Sequence, residues 1–198
     1  MGRDGDGQSR EGEVMGQIRT KEWYDDVYDN SANYQGGEAD KMWGMLWDFV
    51  AHQVPDDNPH IIDIGCGDGA MWRHIQKDFS VTGIDFSKVA LSRAATVGNP
   101  TLIHDDLETI ESLPDGDCYV FCEVMEHIEN DIRLLSLVPT DKWIIITVPS
   151  FDSDGHVRHF RSTADVADRY AKLFGVFTTR VIPKSRFSCW FLMTGSKI

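Results

Sequence analysis

From residue 60 to the end of the chain, short apolar runs alternate with stretches of helical spacing. Runs at 61–64, 81–84, 101–103, 118–122 and 143–148 predict strands, and the patterns at 70–77, 88–95, 130–137 and 163–173 predict helices between and after them. Such alternation belongs to a doubly wound, Rossmann-like α/β fold, a parallel sheet with helices on both faces. Two further strand-like runs, 176–182 and 187–194, are separated only by Pro183, Lys184, Ser185 and Arg186. That link is too short for a crossover, so the two runs predict a C-terminal antiparallel hairpin. Upstream, residues 21–34 place Trp23, Tyr24, Val27 and Tyr28 on one stripe, and 38–52 place Met42, Trp43, Leu46, Trp47, Phe49 and Val50 on one broad face, which predicts two helices before Pro55. Residues 1–19 are Gly-rich and polar without periodicity and predict a disordered tail. The organisation expected is therefore one domain over 20–198, with a helical cap at 20–58 and a ligand-binding core at 59–198.

The richest stretch is Ile61-Ile62-Asp63-Ile64-Gly65-Cys66-Gly67-Asp68-Gly69-Ala70, a buried strand running into a glycine turn and a helix. Glycines let the backbone turn sharply beneath a ligand, and the helix start presents unpaired N–H groups to it. Read alone, the glycine spacing fits a dinucleotide fingerprint equally well. The surrounding charge separates the two cofactors. Asp63 sits near the end of a central strand, Asp68 in the turn, Asp105 and Asp106 after the third strand, and Glu123 and Glu126 after the fourth. A site rimmed by carboxylates repels a pyrophosphate and attracts a ligand carrying an ammonium and a sulfonium, which favours S-adenosylmethionine over NAD. Asp85, closing the second strand, suits the two hydroxyls of a ribose.

Charge narrows the partners further. The 198 residues carry 19 basic and 32 acidic side chains, a net charge of −13, so polyanions are repelled and a small-molecule acceptor is favoured over nucleic acid. No apolar run is long enough to cross a bilayer, and the start of the sequence lacks a secretory h-region, so a cytoplasmic protein is expected. Cys66, Cys118, Cys122 and Cys189 form no C-x-x-C pair and read as free thiols.

These residues resemble the class I S-adenosylmethionine-dependent methyltransferases, over nearly the whole chain from about Trp23 onward. The resemblance implies a seven-stranded, mostly parallel sheet whose last strand is antiparallel. It implies that Asp63, Gly65, Cys66, Gly67 and Gly69 line the methionine end of the cofactor, and that Asp85 with Phe86 meets the ribose. Asp106, or its neighbour Asp105, with Leu107, would then flank the adenine. One departure is Asp117-Cys118-Tyr119-Val120, where the family commonly has Phe-Asp-Val-Val.

A second constellation is Glu123-Val124-Met125-Glu126-His127. A helical turn there would put Glu123, Glu126 and His127 on one face, and two carboxylates with an imidazole suit Mg²⁺, Mn²⁺ or Fe²⁺. A further ligand is available from Gly155-His156-Val157-Arg158-His159-Phe160, giving Glu123, Glu126, His127 and His159 as a candidate metal set. The motif is similar to that of ubiquinone-pathway O-methyltransferases and of small-RNA 3′-terminal 2′-O-methyltransferases, the latter metal-dependent. It also occurs in metal-free relatives, where Glu123 would lie beside the methionine moiety and His127 would act as base, with an ordinary pKa near 6.5. Trp23, Tyr24, Tyr28 and Tyr34 either close over the cofactor as a lid or pack the first helix onto the sheet. The function expected is methyl transfer to oxygen, ahead of nitrogen, on a small molecule. The rivals are a metal-dependent methyltransferase of RNA ends and a non-catalytic cofactor-binding protein; the loss of Asp63 or Asp85 that the latter predicts is not found.

Overall fold

The computed structural model describes residues 19–31 and 37–198. Of the expected tail only Arg19 falls among them, and Tyr34 also lies outside the described residues. Two helices, α1 (Lys21–Asn30) and α2 (Gly37–Ala51), precede the sheet. The parallel strands follow as β1 (His60–Ile64), β2 (Ser80–Asp85), β3 (Thr101–His104), β4 (Cys118–Cys122) and β5 (Trp143–Pro149). Helix α3 (Lys88–Ala94) joins β2 to β3, α4 (Asp131–Ser136) joins β4 to β5, and α5 (Thr163–Tyr170) precedes β6 (Phe174–Pro183) and β7 (Cys189–Lys197).

The seven strands are ordered β3-β2-β1-β4-β5-β7-β6. Strand β7 enters between β5 and β6 and runs antiparallel to both; the short link at 184–188 requires this of the β6–β7 pair. The chain order reverses between β1 and β4, which opens a crevice at the carboxyl ends of those strands, the usual place for a ligand in such sheets.

Both faces of the sheet are covered, which is why its central strands read as largely apolar runs. Ile62, Ile64, Tyr119, Phe121, Ile144 and Ile146 pack on one side with residues from α4 and α5. Ile61, Val120, Ile145 and Trp190 pack on the other with Leu46 and Val50 of α2. On the first side a buried Asp131 accepts from Arg169 (2.6 and 2.7 Å) and from the Tyr170 hydroxyl (2.8 Å), tying α4 to α5. No helix among the described residues is long and apolar enough to cross a membrane.

One element differs from its expectation. Instead of an α-helix over 70–77, the chain winds a single 3₁₀ turn, Ala70–His74. Its Trp72 indole donates to Asp63 Oδ2 at 2.6 Å, and Ile75 leaves the turn extended at φ −82° and ψ 109°.

Candidate active site

The turn after β1 is built from left-handed residues. Gly65 has φ +70° and Gly67 φ +54°, conformations that a side chain disfavours. The N–H groups of Gly65 and Cys66 both donate to Ile84 O of β2 (2.8 and 3.0 Å). Asp85 finishes the clamp, accepting from Gly67 N–H at 2.9 Å and from Ser87 N–H at 2.8 Å. Burial raises the Asp85 carboxyl above its ordinary range even so. Asp63, beneath the turn, is pushed up to about 7 by burial, against the stabilising Trp72 hydrogen bond and with the nearby Asp85 adding to the rise.

Asp63, Gly65, Cys66, Gly67, Asp85, Phe86, Asp105, Asp106, Leu107 and Glu123 all border one cleft of about 1020 Å³. Gly69 does not. It caps the 3₁₀ turn in the left-handed region, where an added Cβ would meet the Trp72 ring at 2.6 Å, so its role is to seat Trp72. Beyond β3, Asp105 N–H donates to Asp85 O (3.2 Å), which holds the Asp105–Asp106 pair against the end of β2.

Helix α1 lies across this cleft. Trp23, Tyr24, Val27 and Tyr28 all line it, and no residue of α1 is buried. Asp25 anchors the helix to the start of α3 by accepting from the Ser87 hydroxyl (2.5 Å). The Tyr24 ring rests on Phe86, with centroids 5.2 Å apart. Trp23, Tyr24 and Tyr28 thus border the cleft from the side of α1.

The second constellation is assembled differently from its helical expectation. Strand β4 ends at Cys122, and Glu123 takes a left-handed φ of +57°, its N–H donating to Thr147 O and Oγ1 (3.3 and 3.0 Å). The i, i+3, i+4 geometry therefore never forms. Glu126 and His127 do come together, but the third member is His156: one ligand atom from each lies within 4.8 Å of the others. Glu123 stands apart from this trio. His159 is turned outward onto a separate cleft beside Ile132, Asp165 and Arg169, because Val157 N–H is pinned to Glu126 O (2.8 Å) and Phe160 N–H to Pro149 O (3.1 Å).

Hydrogen bonding assigns the imidazole tautomers. Gly155 O, which can only accept, lies 3.0 Å from His127 Nδ1, so that nitrogen carries the proton. The Tyr24 hydroxyl sits 2.9 Å from the same nitrogen. His156 Nδ1 likewise faces Phe151 O at 3.2 Å. Each ring thus keeps an Nε2 lone pair. Burial, with His156 beside it, lowers His127 to about 4, well below the ordinary histidine value. Burial also raises Glu123 to about 8, opposed by the Thr147 hydroxyl, the Trp190 indole and the Lys184 ammonium. Glu126 is fully buried, and neither carboxyl oxygen meets a hydrogen-bonding group of another described residue. Its pKa stands well above the carboxylate range, first from burial and then from Glu123.

The sequence reading did not single out Phe151, which follows β5, or Lys184, from the β6–β7 turn, both of which line the cleft, nor Trp72, which lies outside the lining but holds Asp63. The position of that turn was available in principle, since a short hairpin link places it at one edge of the sheet.

Residues 61–137 match a family model described as a methyltransferase domain. Among curated protein sequences none matches the chain. Several solved structures are similar. A chain of the complex between the Haloferax volcanii Trm112 methyltransferase activator and a methyltransferase superposes with a TM-score of 0.66 at 14% identity, over 87% of this chain and 96% of that one. The DhpI structure with SAH gives 0.64 at 16% identity, over 89% and 95%. Magnesium protoporphyrin IX methyltransferase from Synechocystis with bound SAM gives 0.61 at 18% identity, over 90% and 97%. At these identities the likeness is one of fold.

Proposed function

We propose, starting from a chain that belongs to the class I S-adenosylmethionine-dependent methyltransferases, that it methylates an oxygen of a small, weakly acidic acceptor held between β4, β5 and the α1 cap. The observation that carries the oxygen reading is His127, a neutral imidazole with a fixed tautomer and a free Nε2 at the edge of the cleft. On the cofactor side, Asp85 would accept from the ribose hydroxyls, Asp106 from the adenine amino group, and the acidic rim would favour the cationic methionine end. S-adenosylmethionine supplies an already activated methyl group when bound, so the protein's part is alignment and exclusion of water. The α1 aromatics would provide that exclusion.

The acceptor oxygen takes the methyl group as the sulfonium S–CH₃ bond breaks, and its proton passes to His127 Nε2. An imidazole lowered to about 4 is a poor match for an aliphatic alcohol. It serves an acceptor whose hydroxyl is itself acidic, such as a phenol, and a carboxylate acceptor needs no base.

A second reading has its own observation. Glu126, His127 and His156 offer the donor types of a divalent cation site, and the Glu126 carboxyl is otherwise uncompensated. Those three residues would hold the ion, which would supply Lewis acidity toward a hydroxyl acceptor. An RNA end is disfavoured as that acceptor: the cations lining the cleft among the described residues are Arg19, Lys21 and Lys184, against ten Asp and Glu side chains.

Turnover with a phenolic acceptor separates the readings. With His127 as base, chelator changes nothing, His127→Ala lowers turnover by about 10²–10⁴, and the rate stays flat from pH 6 to 8 because the imidazole is already neutral there. Loss of activity on chelation, restored by Mg²⁺ or Mn²⁺, would establish the cation reading instead.

A further inference from the structure

We propose that Lys184 selects the acceptor, and that the acceptor carries an anionic group, a carboxylate or a phosphate, that the lysine ammonium binds. The proposal rests on the methyl-transfer reading of the cleft and adds the substrate's charge to it. Because β7 runs antiparallel to β5, with Pro149 opposite Trp190, the turn joining β6 to β7 lies at the same sheet edge as Glu123 and Phe151. The turn is held in place: Lys184 N–H and Ser185 N–H both donate to Ser188 O (3.0 and 2.9 Å), and the hydroxyls of Ser185 and Ser188 meet at 2.7 Å.

From this turn the Lys184 ammonium reaches the cleft between three rings. Nζ lies 3.9 Å from the centre of Phe151, 4.7 Å from Trp43 and 4.9 Å from Trp190. Ring faces attract a cation but accept no conventional hydrogen bond from it, so the three N–H donors are left for something else. No hydrogen bond or ion pair joins Nζ to any described residue. The other cations of the cleft are engaged, Arg19 with Asp154 at 3.2 Å and Lys21 with Glu22 at 3.9 Å. Glu123 influences Lys184 from a distance but forms no contact ion pair with it, and its own burial favours the neutral acid. An ammonium held by three rings, with unused donors and a cleft in front of it, is arranged for an anion. In a chain of net charge −13 it is also the feature that would admit one. The apolar walls beside it, Phe151 and Trp43, suit a planar or apolar body behind the anionic group.

The test uses full-length protein saturated with S-adenosylhomocysteine and three probes of one shape class: benzoate, phenyl phosphate and uncharged benzamide. Calorimetry is expected to show benzoate or phenyl phosphate binding at least about tenfold more tightly than benzamide. The tighter of the two anions identifies the acceptor as a carboxylate or a phosphate. Lys184→Met should erase the preference while leaving S-adenosylhomocysteine affinity unchanged, and Lys184→Arg, which keeps the charge, should retain part of it even if the Met variant folds poorly. Equal binding of benzamide and both anions by the wild type would overturn the proposal, as would an anion preference that survives Lys184→Met. Failure of S-adenosylhomocysteine itself to bind would strike the methyl-transfer reading, whereas its binding without an anion preference strikes Lys184 alone.

Discussion

Gly65→Ala is expected to weaken S-adenosylmethionine binding by about a hundredfold. At φ +70° a Cβ is disfavoured by roughly 1–2 kcal/mol, and the added atom would stand 2.5 Å from Cγ2 of the buried Val124, two residues past the end of β4. Overpacking of this kind costs a further ~1–3 kcal/mol. The turn relieves both by moving, and it can move only by giving up the N–H bonds from Gly65 and Cys66 to Ile84 O that set its shape. Titration calorimetry measures the change. Undiminished affinity would mean that the turn after β1 does not shape the cofactor site.

Glu126→Met is expected to stabilise the ligand-free protein and disable it. The wild-type carboxyl is buried without a partner from another residue, and removing such a group relieves about 1–3 kcal/mol. For a chain of this size that raises the melting temperature by about 2–4 °C per kcal/mol. The gain has a pH sign. A carboxyl whose folded pKa is raised keeps its proton in the native state, so wild-type stability is greatest in acid and falls as pH climbs toward that raised value. The Met variant lacks this loss, so its advantage grows from pH 5 to pH 8. Turnover should fall meanwhile, because Glu126 borders the acceptor end of the cleft beside His127. Scanning calorimetry and a turnover assay on the same sample check both halves. A variant less stable than wild type at pH 8 would show that Glu126 is compensated in solution.

The alternation of strands and helices was legible because both faces of the sheet are buried, which writes β4 as an unbroken apolar run and leaves β1 and β5 mainly apolar around Asp63 and Thr147. The glycine turn and Asp85 were legible because local order carries them: strand, turn, helix, strand, carboxylate. What escaped depended on distant contacts. The 3₁₀ turn at Ala70–His74 brings Trp72 to Asp63, a pairing across nine positions that periodicity does not encode. The spacing of Glu123, Glu126 and His127 fits a helix, but the chain leaves β4 through a left-handed Glu123 whose N–H is claimed by Thr147 of β5. The choice of His156 over His159 follows from Val157 binding Glu126 O, which no local pattern announces. Histidine near 6.5 was the natural expectation for His127, and only its burial beneath α1 and beside His156 brings it to about 4.

The central claim is that the acidic cleft at the β1–β4 switch takes S-adenosylmethionine rather than a dinucleotide. Calorimetric titration of the wild type and of Asp85→Ala with S-adenosylhomocysteine and with NAD tests it directly. The account predicts one S-adenosylhomocysteine site on the wild type, weakened in Asp85→Ala by about 1.5–3 kcal/mol for the lost charged hydrogen bonds, and no heat of binding from NAD. Saturable binding of NAD to the wild type with none of S-adenosylhomocysteine would contradict it.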